Sequence, residues 1–207
     1  MVNRNFQLEL DGIIKDDTEA GIVPTVLLHS CCAPCSSYTL EYLSQYFNVT
    51  VYYYNPNIYP EEEYHKRVVE IERLIRELPA THPISLVEGD YNPRDFYEIA
   101  KGLEKAPEGG ERCRACYRLR LEHAAMIAKE RGCDYFTTTL TISPLKRSDV
   151  INGIGEEIAG KYGVRFLPSD FKKRGGFLRS IQLSKDYNLY RQNYCGCIFS
   201  QQKDSIT

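Results

Sequence analysis

The sequence predicts an α/β fold: a parallel five-stranded sheet with helices on both faces and a helical C-terminal cap. Two observations predict it. Short runs rich in Val, Leu, Ile, Tyr and Thr alternate with longer segments whose apolar residues recur at helical spacing. That is the pattern of strand–helix–strand units joined by right-handed crossovers. Pro, Asn and Gly also stand at the junctions between these segments. At 207 residues, 43% hydrophobic and 26% charged, the chain fits a single such domain over 1–207 with a core of ordinary size.

Residues 1–22 are polar, include Lys15-Asp16-Asp17 and carry no strong pattern, which predicts a solvated, partly ordered lead-in. Val23–Ser30, built on Val26-Leu27-Leu28, is the first strand, and Ala33–Phe47 is a helix burying Leu40, Leu43 and Phe47. Pro34 suits its first turn, where a missing N–H leaves no intrahelical bond unmade. Val49–Tyr54 is the second strand and runs into Asn55-Pro56-Asn57. The next helix opens at Pro60-Glu61-Glu62-Glu63, with acids at the positive end of its dipole. Its apolar face reads Tyr64, Val68, Ile71, Leu74, Ile75 and Leu78 before Pro79 stops it.

Ile84–Val87 is a short third strand, Asn92-Pro93 starts a helix toward Lys101, and Ala106–Gly110 is a loop. Glu111–Arg131 is a long helix with Leu121, Ala124, Ala125 and Ala128 inward, closed by Gly132. Tyr135–Thr139 is the fourth strand, rich in β-branched residues. Ser143-Pro144 introduces a helix through Ile151, Ile154 and Ile158 that ends at Gly163, and Val164–Leu167 is the fifth strand. From Asp170 the composition turns basic, with Lys172-Lys173-Arg174-Gly175-Gly176, and short helical pieces lead to Tyr194-Cys195-Gly196-Cys197. Residues 170–207 therefore read as a cap that returns to the sheet.

A net charge of -2 gives no global pull on nucleic acid, so such binding needs a local basic face. No apolar run approaches the ~20 residues of a membrane span, and the N-terminus lacks a signal-peptide pattern. A cytoplasmic protein with no membrane partner is expected, and there 8 cysteines point to metal or redox chemistry rather than structural disulfides.

His29-Ser30-Cys31-Cys32-Ala33-Pro34-Cys35 packs three thiols into the turn after the first strand, where open α/β sheets bind ligands. Helix amides there favour thiolate over thiol, and thiolates this close repel unless a metal, a cluster or a disulfide takes up the charge. Cys113-Arg114-Ala115-Cys116 puts two more sulfurs on one face of a helical turn. With Cys32 and Cys35 this makes two CxxC pairs, too distant for a zinc ribbon, so the fold must bring two helix N-termini together. The number of thiols favours an iron–sulfur cluster over zinc. A radical-SAM site would need a further CxxC beside Cys31-x3-Cys35, and none is there.

Cys195-Gly196-Cys197 is too tight for an unstrained disulfide. It would cycle between dithiol and disulfide, hold a second metal, or add ligands to the cluster. Cys133 reads as a buried small hydrophobe, and His29 as a structural hydrogen-bonder rather than a ligand. Tyr52-Tyr53-Tyr54, Tyr187, Tyr190 and Tyr194 are candidates to stack on a nucleobase. Lys146, Arg147, Lys172, Lys173, Arg174, Arg179 and Arg191 are candidates for a phosphate-binding rim. Cysteines replace the Gly-rich phosphate loop expected after the first strand of a nucleotide-binding α/β protein, which argues against ATP.

Six motifs in order carry a resemblance. HSCCAPC at 29–35, YNPNIYP at 54–60, ERCRACYRLRLE at 111–122, FTTTLTISPLKR at 136–147, DFKKRGGFLRS at 170–180 and LSKDYNLYRQNYCGC at 183–197 resemble the QueH-type epoxyqueuosine reductases. The resemblance covers about residues 24–200. It implies a HUP-like fold similar to the ATP pyrophosphatases, with thiols in place of the phosphate loop. It also implies reduction of epoxyqueuosine at the wobble position of tRNA anticodons, the last step toward queuosine. A 4Fe-4S cluster on Cys31, Cys32, Cys113 and Cys116, a redox-active Cys195–Cys197 pair, an external electron donor and no cobalamin belong to the same implication.

The residues by themselves favour Cys35 over Cys31, since adjacent side chains seldom point the same way. Four thiolates would also leave no iron open, so either one of them is not a ligand or Cys35 helps hold a second, mononuclear iron. Expelling an epoxide oxygen as water takes two electrons and two protons. Tyr54 and Asp134 are candidate proton donors, and the anticodon base must flip out of its stack. The competing readings are an ATP-dependent iron–sulfur tRNA sulfur-transferase on the same fold and a non-catalytic zinc protein that binds RNA.

Overall fold

Five strands, β1 (Thr25–His29), β2 (Asn48–Tyr53), β3 (Ile84–Glu88), β4 (Tyr135–Thr138) and β5 (Arg165–Phe166), pair in parallel in the order β3-β2-β1-β4-β5. They belong to a computed structural model that describes residues 4–201. Strand side chains alternate between two cores. Val26, Leu28 and Tyr53 point into one, Leu27, Tyr52 and Tyr54 into the other, as a sheet covered on both faces requires. Helices α1 (Phe6–Glu19), α2 (Ala33–Leu43) and α3 (Glu61–Glu77) pack on the first face, with α7 (Gly176–Asp186) against α2. Helices α5 (Glu111–Glu130) and α6 (Ser148–Tyr162) cover the second, and the short α4 (Pro93–Ala100) packs on α5.

The chain runs outward from β1 to β3, then crosses back to β4 and β5 on the other side. Strand order therefore reverses between β1 and β4. The crevice beyond their carboxyl ends is where a sheet of this kind admits a ligand.

Two expected elements differ. The lead-in is a helix over much of its length: Asn5 caps α1, accepting from Leu8 N–H at 3.3 Å, and Phe6, Leu10 and Ile14 form one stripe on the core, with Leu10 0% exposed. Acids on the other faces of α1 hide this narrow stripe in a linear reading. Arg4 bonds both Glu9 and Glu156, fastening α1 to α6. The second difference follows β4. A 3-10 turn (Thr139–Ile142) and a loop come first, so α6 begins at Ser148 rather than at Ser143-Pro144. That loop carries Lys146 to the carboxyl edge. The cap consists of α7 and an extended segment that carries Cys195 and Cys197, and its positions 202–207 lie outside the described residues. Among the described residues no helix is long and apolar enough to cross a membrane.

Candidate metal centre

The chain leaves β1 at His29 and enters α2 through Cys32, which caps that helix with extended backbone (φ -173, ψ 160). Its Sγ accepts from Cys35 N–H at 3.4 Å, drawing the first turn of α2 back over the thiols. The sulfurs of Cys31, Cys32 and Cys35 consequently lie within 4.8 Å of one another, with Cys31 and Cys32 3.9 Å apart. The extended cap residue lets neighbouring side chains converge. Cys35 therefore does not displace Cys31; all three meet. Thr139 ties this turn to the chain leaving β4: its Oγ1 accepts from Cys31 N–H at 3.3 Å and its hydroxyl donates to Cys31 Sγ at 3.5 Å.

Cys113 and Cys116 open α5 across the crevice. Gly109 N–H donates to Cys113 Sγ at 3.3 Å, and Cys116 is buried with Phe96, Ala100 and Cys197. Cys31 and Cys113 flank the same core. Arg120, one turn beyond Cys116 and 1% exposed, links the two thiol groups. Its Nε donates to Cys116 O at 3.3 Å and its Nη1 to Asn55 Oδ1 at 3.3 Å, while Asn55 Nδ2 donates to Ser30 O at 2.8 Å. Sulfurs from the turn after β1 and from α5 thus share one edge of the sheet.

Hydrogen bonds from Cys32 and Cys35 hold the Cys31 thiol well below its ordinary value, with Lys146 adding to the effect. Burial, followed by the bond to Cys31, pushes Cys32 up to about 12, and its bonds to Cys31 and Cys32 push Cys35 well above the ordinary value. Burial also raises Cys113, and takes Cys116 up to about 12. The three shifts run in opposite directions, with Cys31 the most acidic thiol of the group. A bound metal would displace the thiol protons. Burial works against the charges of Lys146 and Arg120, but the thiols outweigh it: Cys195, Cys31 and Cys35 around Lys146, and Cys116, Cys195 and Cys31 around Arg120.

Cys195 and Cys197 join the same edge, where their charges act on Cys113 and Cys116. Both are free thiols. Gly196 has φ 122, and a Cβ there would stand 3.0 Å from Ile58 Cγ1, so the turn between the cysteines needs glycine. Helix α3 holds this segment. Arg67 Nη1 donates to Cys195 O at 3.3 Å, Arg73 Nη1 to Tyr187 O at 3.0 Å, and Tyr190 N–H to Glu70 Oε1 at 2.6 Å.

His29 is the structural hydrogen-bonder expected. Its Nε2 lies 3.2 Å from Tyr54 O and its Nδ1 2.9 Å from Thr138 Oγ1. A carbonyl only accepts, so Nε2 carries the proton; burial first, and then Arg120, pushes the ring down to about 3. Cys133 packs against the second core as a small apolar side chain but is only half-buried, not buried as expected.

Other expectations are corrected. Asp134 sits at the amino ends of β1 and β4, accepting from Thr25 N–H and Oγ1 at 2.8 Å, on the opposite edge from the thiols. The bond from Thr25 N–H, chief among its causes, lowers its pKa, so it is no proton donor for this site. Tyr54 is at the right edge but commits its hydroxyl to Asp95 at 2.9 Å and packs its ring on His123 at 4.0 Å. Tyr52, Tyr53 and Tyr54 are all buried and offer no free face to a base. Tyr190 and Tyr194 spend their hydroxyls on Glu63 and Tyr59 O.

The basic residues form no single rim. Lys146 faces the thiols, and Arg191 lines a cleft with Cys35, Phe177 and Gln192. Arg147 pairs with Asp149, Lys172 with Asp170, Arg174 with Asp11 and Arg179 with Glu41. Lys173 lines a separate hollow with Arg4, Asn5 and Phe6. No role at the site is assigned from the sequence to Asn55, Arg67, Arg120 or Thr139. Arg120 and Arg67 leave a trace there, as charges on the inward sides of α5 and α3 among Leu121 and Ala124, and Val68 and Ile71.

The family model described as Epoxyqueuosine reductase QueH matches residues 26–203. A relative of that name from Streptococcus pyogenes serotype M1 is 41% identical over 99% of this chain and 83% of its own length. One from Staphylococcus epidermidis is 44% identical over 98% of this chain and 87% of its own. One from Thermotoga maritima is 39% identical over 85% of this chain and 90% of its own. With its cysteine-lined crevice inside the matched region, the chain belongs to the epoxyqueuosine reductase QueH family.

Proposed function

We propose that this protein is an oxidoreductase that reduces epoxyqueuosine in tRNA anticodons to queuosine, expelling the epoxide oxygen as water. The observation that carries the reading is the gathering of thiols from 31–35, 113–116 and 195–197 on one sheet edge, in a chain of this family.

The donor set suits a metal centre: soft sulfur throughout, a Cys31 thiol held below its ordinary value, and two cations close by. Cys31, Cys32, Cys113 and Cys116 would hold a 4Fe-4S cluster, with Cys35 as an alternative ligand or as part of the site of a second, mononuclear iron. When bound, such a centre supplies electrons one at a time and a Lewis acid for oxygen. The protein does the rest. The Cys195–Cys197 dithiol, on becoming a disulfide, releases two electrons and two protons, the number that loss of the epoxide oxygen as water consumes. An external electron donor then reduces the disulfide again. Lys146 keeps a positive charge at Nζ beside these thiols. Arg191 and Lys173 are the basic groups best placed to meet tRNA phosphates, and the base would reach the crevice flipped out of its stack.

The test is made on protein purified without oxygen, measuring iron, acid-labile sulfide and conversion of epoxyqueuosine-containing tRNA by a chemical reductant. Conversion without ATP is expected. Iron-loaded protein that leaves the epoxide intact, or turns over only with ATP, overturns the reading, as does colourless protein holding zinc.

A further inference from the structure

Among the described residues three arginines are buried, and their charges are met differently. Arg67 pairs with Glu63 at 2.7 Å. Arg112 lies among the carbonyls of Leu103, Glu104 and Ala106. Arg120 has no carboxylate partner among the described residues; its two hydrogen bonds go to the neutral oxygens of Asn55 and Cys116. Its Nη2 is buried with no hydrogen-bond partner at all. A guanidinium cannot shed its proton, so a charge buried this way needs an anion nearby. The groups whose charge acts on it most are sulfurs, those of Cys116, Cys195 and Cys31, and thiols give up their protons when they take a metal.

The two bonds it does make fix its plane. Nε is held by the preceding turn of α5, and Nη1 by an asparagine that Ser30 O anchors in turn. Nη2 is left as a buried donor without a partner, on a guanidinium bonded to the backbone of Cys116. We infer that Arg120 is a positioning residue for the metal centre, its free Nη2–H donating to a sulfur of that centre and favouring the centre's more negative, reduced form. An N–H···S bond to metal-bound sulfur acts in this direction, because the bond strengthens as negative charge accumulates on the sulfur. The inference rests on the reading of the thiols as a metal site.

A merely structural role would tie the turn after β1 to α5 and leave the redox behaviour alone. Protein prepared without oxygen as wild type, Arg120→Met and Arg120→Lys is therefore compared by iron content, circular dichroism and redox titration of the centre. In Arg120→Met the midpoint is expected to move to more negative potentials. In Arg120→Lys, which restores the charge without the fork, most of that shift is recovered. Iron retained by Arg120→Lys but lost from a folded Arg120→Met supports the same conclusion. An unshifted midpoint in iron-loaded Arg120→Met overturns it. Equal loss of iron from both variants does too, because restoring the charge would then have restored nothing. Wild-type protein that takes up no iron fails in a distinguishable way, by removing the metal site beneath the inference.

Discussion

Asn55 stands between the two thiol-bearing turns, and Arg120 fastens it there, with Nη1 3.3 Å from Asn55 Oδ1 while Asn55 Nδ2 reaches Ser30 O at 2.8 Å. Replacing Asn55 with Ala leaves a carbonyl and a guanidinium arm unpaired in the interior. Each such group costs about 1–3 kcal/mol, so urea unfolding of metal-free Asn55→Ala is expected to report a loss of roughly 2–6 kcal/mol. A loss below about 0.5 kcal/mol would mean that the bridge contributes nothing to holding the two turns together.

The two kinds of cysteine separate by colour. Cys113→Ser is expected to abolish both the visible absorption and the turnover of anaerobically purified protein. Cys195→Ser is expected to keep the absorption and lose turnover. A coloured, active Cys113→Ser removes Cys113 from the ligands, and normal turnover in Cys195→Ser removes the pair from the electron path.

Lys172 is held by Asp170 at 2.5 Å, whereas Lys173 beside it is exposed. Lys173→Glu is expected to weaken tRNA binding across sequences and to reduce the salt slope by about one, with Lys172→Gln having the smaller effect. Filter binding at several salt concentrations measures both. Equal affinity in Lys173→Glu places the RNA on another face.

Helix α1 is part of the core, which makes Leu10 a test of it. Leu10→Ala opens a cavity at a fully buried position and is expected to cost about 2–5 kcal/mol. A chemical-denaturation midpoint close to that of the wild type would show α1 to be dispensable.

Glu70 grips the segment that carries Cys195 and Cys197. The hydrogen bond from Arg73, together with Tyr190 N–H, lowers its pKa below the ordinary 4.5. A carboxylate whose folded-state pKa is depressed stabilises the fold above its unfolded value, and that contribution disappears as pH falls through the folded value. Wild type is therefore expected to lose more thermal stability than Glu70→Gln on acidification below 4.5. Parallel acid limbs for the two proteins would dissociate Glu70 from this grip.

Periodicity made the strands, most helices and the parallel sheet legible, and spacing singled out 31–35, 113–116 and 195–197 as thiol-bearing turns. It failed at α1, where Phe6, Leu10 and Ile14 make too narrow a stripe among acids, and at Asp134, whose edge of the sheet depends on which end of β4 it adjoins. The ion pairs of the basic residues are hidden for a related reason. Arg174 and Arg179 look free along the chain, yet meet Asp11 and Glu41 across the fold.

By itself the sequence determined the layered architecture, the strand-to-helix turn that carries Cys31, Cys32 and Cys35, and the family, because all three follow from local period, local spacing and motif order. Only the tertiary structure decided that Cys31, Cys32 and Cys35 converge, and that Arg120 and Lys146 are the cations facing the thiols. These outcomes depend on an extended cap residue and on contacts between residues distant in the chain, which a one-dimensional pattern does not encode.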